Sequence, residues 1–235
     1  MTETAHSRTI RTMFDRISPR YDLLNRVLSL GLDLRWRNRA VTMLADLRGQ
    51  TALDLCCGSG DCIAILLKKY RNDIAVIGVD FARGMLDIAR RRFVAADSSR
   101  IILCQADALA LPCRDASIDA VTIGFGIRNI EDKPAALKEI HRVLRPGGRL
   151  AIIEPSVPKN RFWRGLFSFY FGKVMPFVGG VISGDRGAYQ YLHDSVAAFP
   201  DPDEFVALMR SAGFVNATAI PQTPSTAMIY FAEKA

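Results

Sequence analysis

The stretch Thr51-Ala52-Leu53-Asp54-Leu55-Cys56-Cys57-Gly58-Ser59-Gly60-Asp61 has the residue types of a nucleoside-binding turn. An apolar run leads into two glycines one residue apart, and an apolar helical pattern, Ile63–Lys69, follows at once. Glycine lacks Cβ, so Gly58 and Gly60 allow a sharp turn and let a ligand touch the backbone. A second apolar run closes on Asp80, twenty residues after Gly60. An acid at that strand end is placed to accept hydrogen bonds from ribose hydroxyls. A strand–helix turn with two glycines also occurs without any ligand. Asp80, and the pair Asp107-Ala108 farther on, argue for a ligand here: Asp107 is placed to accept from an adenine amino group and the Ala108 N–H to reach a ring nitrogen. Phe81 and Met85 are candidates to sandwich the purine, although Met85 also reads as core.

The chemistry of the turn narrows the cofactor. Ile63 stands where the dinucleotide fingerprint G-x-G-x-x-G has its third glycine. Asp54 and Asp61 flank the turn, and two carboxylates beside a pyrophosphate repel it. Beside the ammonium and sulfonium of S-adenosylmethionine they attract. No phosphate-binding G-x-x-x-x-G-K-[ST] loop is present, which argues against a nucleoside triphosphate.

These residues need a scaffold that brings strand ends together. Strands are predicted over 51–56, 75–79, 101–105, 118–123 and 148–153, with helices over 61–70, 83–94 and 132–143 between them. Such alternation implies a parallel sheet covered by helices on both faces, with ligands at the carboxyl ends of the strands. Every notable polar group falls at such an end, including Gly126-Ile127-Arg128-Asn129 and Glu154. Residues 8–46 read as amphipathic helix broken at Ser18-Pro19. Residues 160–196, aromatic and Gly-rich, read as helices of a cap. A helix over 201–212 and two hairpin strands, 214–220 and 227–232, close the chain. At 235 residues, 49% hydrophobic and 23% charged, the chain can bury a sizeable core.

Composition sets further bounds. Five cysteines, an odd number without any CxxC pair, argue against a disulfide framework and against zinc. Buried thiols in a reducing cytoplasm are the simpler reading. The first residues lack the apolar core of a signal peptide, and Arg164, Lys173 and Pro176 interrupt the longest apolar stretch. The net charge of +7 suits an anionic membrane surface or solvated helix faces. Aromatics do not interleave with the basic clusters, so nucleic acid is not expected.

The motif order resembles a class I S-adenosylmethionine-dependent methyltransferase. More narrowly, Phe14-Asp15, Tyr21-Asp22-Leu23-Leu24-Asn25, Leu28-Ser29-Leu30-Gly31, Trp36-Arg37, Phe125-Gly126-Ile127-Arg128-Asn129, Arg142–Gly148 and Tyr189-Gln190-Tyr191-Leu192 resemble the ubiquinone/menaquinone biosynthesis C-methyltransferase family. The resemblance implies an α/β, Rossmann-like fold with a mostly parallel seven-stranded sheet and a helical cap. It implies one methyltransferase domain over 1–235, with an N-terminal helical segment over 1–48 and a cap over 156–200. Its cofactor would be S-adenosylmethionine, held by Tyr21, Asp54, Gly58, Ser59, Gly60, Asp80, Phe81, Asp107 and Ala108. Some positions depart from the family. Gly124 stands where relatives often have Ser, Cys56-Cys57 where they have smaller residues, Glu154-Pro155 in place of Glu-Phe, and His193 in place of Pro or Ala.

The implied reaction is C-methylation of a polyprenylated quinol, demethylmenaquinol or its benzoquinol counterpart. Methylation of another phenol on the same fold, and a catalytically silent partner-binding subunit, stand as alternatives. Arg128 and Asn129 are expected to bind a ring oxygen, and Asp61 to orient Arg128 or a water acting as base. Tyr189 and His193 are rival bases from the cap, and His193 also reads as a surface residue. The aromatic segment of Phe162, Trp163, Phe167, Phe169, Tyr170, Phe171 and Phe177 reads either as a tunnel for the tail or as packing of cap helices. Transient contact with a membrane surface from the cytoplasmic side is expected, no metal is, and a homodimer is left open.

Overall fold

The computed structural model describes residues 5–71, 73–94, 100–158, 160–170, 172, 186–223 and 225–235. Five strands run parallel: β1 (Thr51–Leu55), β2 (Ala75–Asp80), β3 (Ile101–Gln105), β4 (Ile118–Gly124) and β5 (Leu144–Pro155). A hairpin, β6 (Phe214–Gln222) and β7 (Ala227–Lys234), completes a seven-stranded sheet in the order β3-β2-β1-β4-β5-β7-β6, in which β7 runs opposite to the other six. The helices are α1 (Ala5–Ser29), α2 (Leu32–Met43), α3 (Asp61–Lys69), α4 (Arg83–Arg92), α5 (Lys133–Val143), α6 (Arg161–Phe169), α7 (Arg186–Ala197) and α8 (Pro202–Ser211).

The alternating faces of the strands build two cores. Leu53, Leu55, Val121, Ile123 and Ile152 pack with Leu137 and Ile140 of α5 and with Phe205 and Met209 of α8. Ala52, Val76, Ala120 and Ile153 face the other way, onto Trp36, Ala40 and Val41 of α2 and Ile63 and Leu66 of α3. A central strand covered on both sides must be apolar throughout. Asp54 and Thr122 share the second face, so two polar groups enter that core.

Helix ends follow the sequence signals. Asp132 Oδ1 accepts from the Ala135 N–H and Pro134 lies in the first turn of α5. Asp201 and Glu204 form a capping box that starts α8.

Two expectations need correction. Pro19 does not break the first helix, which runs unbroken from Ala5 to Ser29. Proline lacks the N–H that would bond the carbonyl of Asp15, and Ser18 Oγ donates to that oxygen instead, at 3.0 Å. The break falls at Leu30 and Gly31, with φ of 52° and 76°. The fifth strand begins at Leu144 and not at 148. Its pairing with β4 jumps from Ile118↔Leu144 to Ala120↔Arg149, so the turn-forming residues Arg145-Pro146-Gly147-Gly148 form a bulge inside the strand.

Candidate active site

The strand order reverses at β1, where the next strand in sequence lies to one side and β4 to the other. The crevice at such a switch point is the general ligand site of open α/β sheets. Gly58 and Gly60 sit there with φ of 55° and 86°. A Cβ on Gly58 would meet nothing within 4 Å, so this turn presents bare backbone to open space. One on Gly60 would collide with the Phe93 ring. The first glycine thus serves access and the second packing.

Asp80 joins the turn to the second strand. Its Oδ2 accepts from the Gly58 N–H at 2.8 Å, and Oδ1 from the Ala82 N–H at 2.9 Å. Carboxylate oxygens carry further lone pairs, so ribose hydroxyls remain acceptable donors. Burial pushes the Asp80 carboxyl up to about 6, against the pull of the backbone N–H donors. The Ala106 N–H donates to the Asp80 carbonyl, which brings the end of β3 alongside. There Asp107 is exposed and closes a turn onto the Leu109 N–H, and Ala108 is buried. Phe81 is half-buried, and its carbonyl accepts from Gln105 Nε2. Met85 is 2% exposed among the core residues, so of the two sandwich candidates it is the one committed to packing.

Asp54 is fully buried. Its Oδ1 accepts from Thr122 Oγ1 at 2.7 Å, and its Oδ2 has no hydrogen-bond partner. Burial raises its carboxyl to about 7, with Thr122 and Arg37 opposing. An unsatisfied buried acceptor costs free energy unless a ligand donor reaches it. The open glycine turn, the strand-end Asp80 and this orphan oxygen together fit a nucleoside cofactor with a cationic head.

Asp61, the first residue of α3, is not available to orient Arg128. Arg92 reaches its Oδ1 at 2.9 Å, Arg26 reaches Oδ2 at 2.8 Å, and Arg37 Nε lies 3.8 Å away. Burial would raise its carboxyl, but these guanidiniums outweigh that and hold it below the ordinary range. The expected pair of uncompensated carboxylates beside a sulfonium is therefore corrected. One is neutralised by arginines, and the other is poised near neutrality.

Arg128 is held by Glu154. Its NH1 lies 2.9 Å from Glu154 Oε2 and its backbone N–H donates to Oε1 at 3.1 Å, while NH1 also donates to the Phe125 carbonyl. Glu154 is fully buried at the end of β5, and burial raises its carboxyl against the guanidinium. Beside Arg128, Asn129 Oδ1 accepts from the Tyr191 hydroxyl of α7 at 3.0 Å. The cap thus reaches the site through Tyr191. His193, two residues on, is 46% exposed and pairs with Asp194, so the fold turns it away. The side chains of Tyr21 and Tyr189 lie outside the described residues.

The first helix crosses the crevice on one stripe. Asp15 Oδ1 accepts from the Gly84 N–H at the start of α4, Asp22 Oδ1 accepts from Ser59 Oγ at 2.5 Å, and Arg26 pairs with Asp61. Positions 15, 22 and 26 are about two and three helical turns apart, hence on one face. Sequence reasoning quoted Asp15 and Asp22 only as motif letters. The regular spacing of charges along an amphipathic helix was the signal that could have singled them out. Glu154 and Tyr191 carried no local signal of their partners.

At Gly124 the fold accounts for one departure. An added Cβ would overlap the Arg37 guanidinium, which lies over the Phe125 ring at 4.9 Å from its centroid. A serine there would have to displace Arg37. Among the described residues no cluster of His, Cys, Asp and Glu could hold a metal ion, and no helix is long and apolar enough to cross a membrane.

A family model described as the ubiE/COQ5 methyltransferase family matches residues 1–234. A demethylmenaquinone methyltransferase of Thermus thermophilus is 52% identical over 204 residues, covering 86% of this chain and 91% of the relative. A ubiquinone/menaquinone biosynthesis C-methyltransferase of Geobacter sulfurreducens is 43% identical over 232 residues, covering 98% and 90%. Among solved structures, a SAM-dependent methyltransferase from Aquifex aeolicus superposes with a TM-score of 0.64 at 16% identity, covering 87% of this chain and 92% of that one. The [4+2]-cyclase SpnF does so at 0.67 and 16%, covering 96% and 95%, a reminder that this fold alone does not select a reaction.

Proposed function

The chain belongs to the ubiE/COQ5 methyltransferase family and is an S-adenosylmethionine-dependent C-methyltransferase, and on that premise we propose that its acceptor is demethylmenaquinol, methylated on a ring carbon to menaquinol. The observation that carries the reading is the Glu154–Arg128 and Tyr191–Asn129 constellation beside the glycine turn. It offers a fixed positive charge and polar groups at one strand end, which suit a ring hydroxyl that turns anionic. The name of the Thermus relative supports the naphthoquinol. The joint name of the Geobacter relative supports the benzoquinol of ubiquinone synthesis as the second reading.

S-adenosylmethionine supplies a methyl group on a positively charged sulfur. Asp80 would hold its ribose, Asp107 and Ala108 its adenine with Phe81 against the ring, and Asp54 Oδ2 its ammonium. Gly58, Ser59 and Gly60 would meet it through their turn, and Tyr21 would complete the set. Loss of a phenolic proton makes the neighbouring ring carbon nucleophilic. That carbon would take the methyl group that the cofactor supplies, the carbon–sulfur electron pair staying on sulfur, and the ring proton would then leave to water while the phenolate oxygen regains a proton. Arg128 stabilises the phenolate oxygen and cannot itself readily lose a proton, so it acts by charge. Asn129, oriented by Tyr191, fixes the ring. Alignment of carbon and methyl provides much of the rate.

A polyprenyl substrate places the enzyme at the cytoplasmic face of a membrane. The exposed Phe162, Trp163 and Phe169 of α6, next to Arg161, support such contact. The test is mass spectrometry of quinols after supplying each demethyl precursor with methyl-labelled cofactor. Label in menaquinol supports the reading. Label only in the benzoquinol moves it to the second reading, and label in neither defeats both.

A further inference from the structure

A cavity of about 640 Å³ lies between the start of α6, the α7–α8 connection and the β6–β7 hairpin, outside the cofactor crevice. Its walls include Val157, Pro158, Trp163, Val196, Phe199 and Met228. Three of the polar side chains that line it already have work elsewhere. Asn160 Oδ1 caps α6 through the Phe162 N–H, Arg164 Nε donates to the Pro158 carbonyl, and Asp201 takes part in the capping box of α8. Polar and apolar groups share the lining, and most of its side chains, Val157, Pro158, Trp163, Val196, Phe199 and Met228 among them, are apolar, which suits a ligand that is apolar along much of its length.

The cavity adjoins the Arg128–Asn129 site through two elements. Met228 is the direct cross-strand partner of Glu154 in the β5–β7 pair, so both side chains rise on one face as neighbours. Glu154 in turn holds Arg128. Helix α7 carries Tyr191, bonded to Asn129, and Val196 in the cavity wall, about 140° farther round the helix. Five residues rise about 7.5 Å along a helix. Met228, beside Glu154 on β7 and in the cavity wall, is therefore where a substituent on a ring bound at Asn129 would meet this space. The volume falls within the range of about 300–1,000 Å³ typical of small-molecule sites.

We propose that this cavity receives the proximal isoprenoid units of the acceptor's tail, a binding subsite distinct from both the cofactor crevice and the ring site. The inference rests on the quinol reading given above. It differs from a tunnel built of the aromatic segment beginning at Phe162. Of that segment's described residues, Phe162 and Phe169 are exposed, Tyr170 is half-buried and Phe167 is buried, while Trp163, itself 42% exposed, is the one that lines the cavity. Phe171 and Phe177 lie outside the described residues.

The test compares 1,4-naphthalenediol, which has no tail, with its geranyl derivative. Wild type should favour the geranyl compound in kcat/KM by about tenfold or more, as burial of a few methylene equivalents gives. Ala197→Trp adds bulk from an exposed position of the wall and should erase most of that preference while retaining turnover of the tail-free compound. Farnesol, used with the wild-type enzyme so that no variant needs to fold, should compete with the geranyl substrate and leave the tail-free reaction uninhibited. Equal losses on both substrates in a folded variant, an unchanged preference, or farnesol acting alike on both would overturn the subsite and leave quinol methylation standing. Methylation of neither compound by wild type would overturn the quinol reading itself, and this inference with it.

Discussion

At the scale of single residues, protonation sets when the site can bind. Asp80 and Asp54 have folded-state carboxyls near 6 and 7, both raised by burial. A raised carboxyl adds stability to the unliganded protein below the unfolded value near 4, and loses it as pH rises through the folded value. A cationic cofactor selects the ionised forms, so affinity runs the other way and strengthens from pH 5 to 8. Calorimetry across that range should record tightening of up to about tenfold per unit per group, and Asp54→Asn should abolish the part centred near 7. A flat profile in wild type would show that neither carboxyl meets the cofactor. Arg128→Leu should lower turnover by about 10²–10³-fold with cofactor affinity little changed, because its charge faces the acceptor oxygen. Equal losses in both would put it in the cofactor subsite. Packing is as exacting as charge. A Cβ on Gly126 would collide with Cys56, whose own φ of 55° is unfavourable for a side chain. Gly126→Ala should destabilise by about 1–3 kcal/mol, and Cys56→Gly in the same chain should recover most of it in denaturant titrations.

At the scale of elements, the first helix is a cover rather than an appendage. It touches the glycine turn, the start of α3 and the start of α4 through Ser59, Asp61 and the Gly84 N–H. Arg26→Ala removes one of these ties, and Asp61 keeps Arg92 and Arg37. Arg26 is about a quarter exposed, so the loss is modest, on the order of 1 kcal/mol. Stopped-flow measurement should find cofactor release about fivefold faster, and hydrogen exchange should rise in α1 while the sheet stays protected. Unchanged release would mean that the helix does not gate the crevice. Elements were largely readable beforehand. Each of the seven strands overlaps the stretch that alternation and turn residues assign to it, because those signals act within a few residues, although the fifth starts four residues early through its bulge. Pro19 misled because a side-chain hydroxyl one residue earlier meets the carbonyl that proline leaves, a compensation that is conformational.

At the scale of the whole molecule, the sheet divides the work. On the proposed reading, the β1–β2–β3 side would carry the nucleoside contacts, and the β4–β5–β7 side the acceptor contacts. Phe162 and Phe169 stand exposed on α6, on the acceptor side. Burying an aromatic side chain in lipid is worth about 1.5–3 kcal/mol, so Phe162→Ser with Phe169→Ser should weaken binding to anionic vesicles by well over tenfold. Turnover of a detergent-dispersed, tail-free quinol should stay close to wild type. Vesicle sedimentation that finds no difference would assign α6 to another contact.

What the sequence determined by itself was the scaffold and the address of the site. The glycine pair, the acid twenty residues on, and the apolar runs between them are local patterns whose physics is short-ranged, and they predicted a switch-point crevice and its cofactor class. What only the tertiary structure decided was partnership. Asp61 looked like a lone carboxylate near Arg128, yet it is claimed by arginines 35 and 31 residues away. Arg128 is oriented by Glu154, 26 residues on, and Asn129 by Tyr191, 62 residues on. The charge state of a carboxylate and the aim of a guanidinium depend on burial and on which group arrives from across the fold. Neither is encoded in the spacing of neighbours along the chain, so the residues of the site could be named from the sequence while their pairings could not.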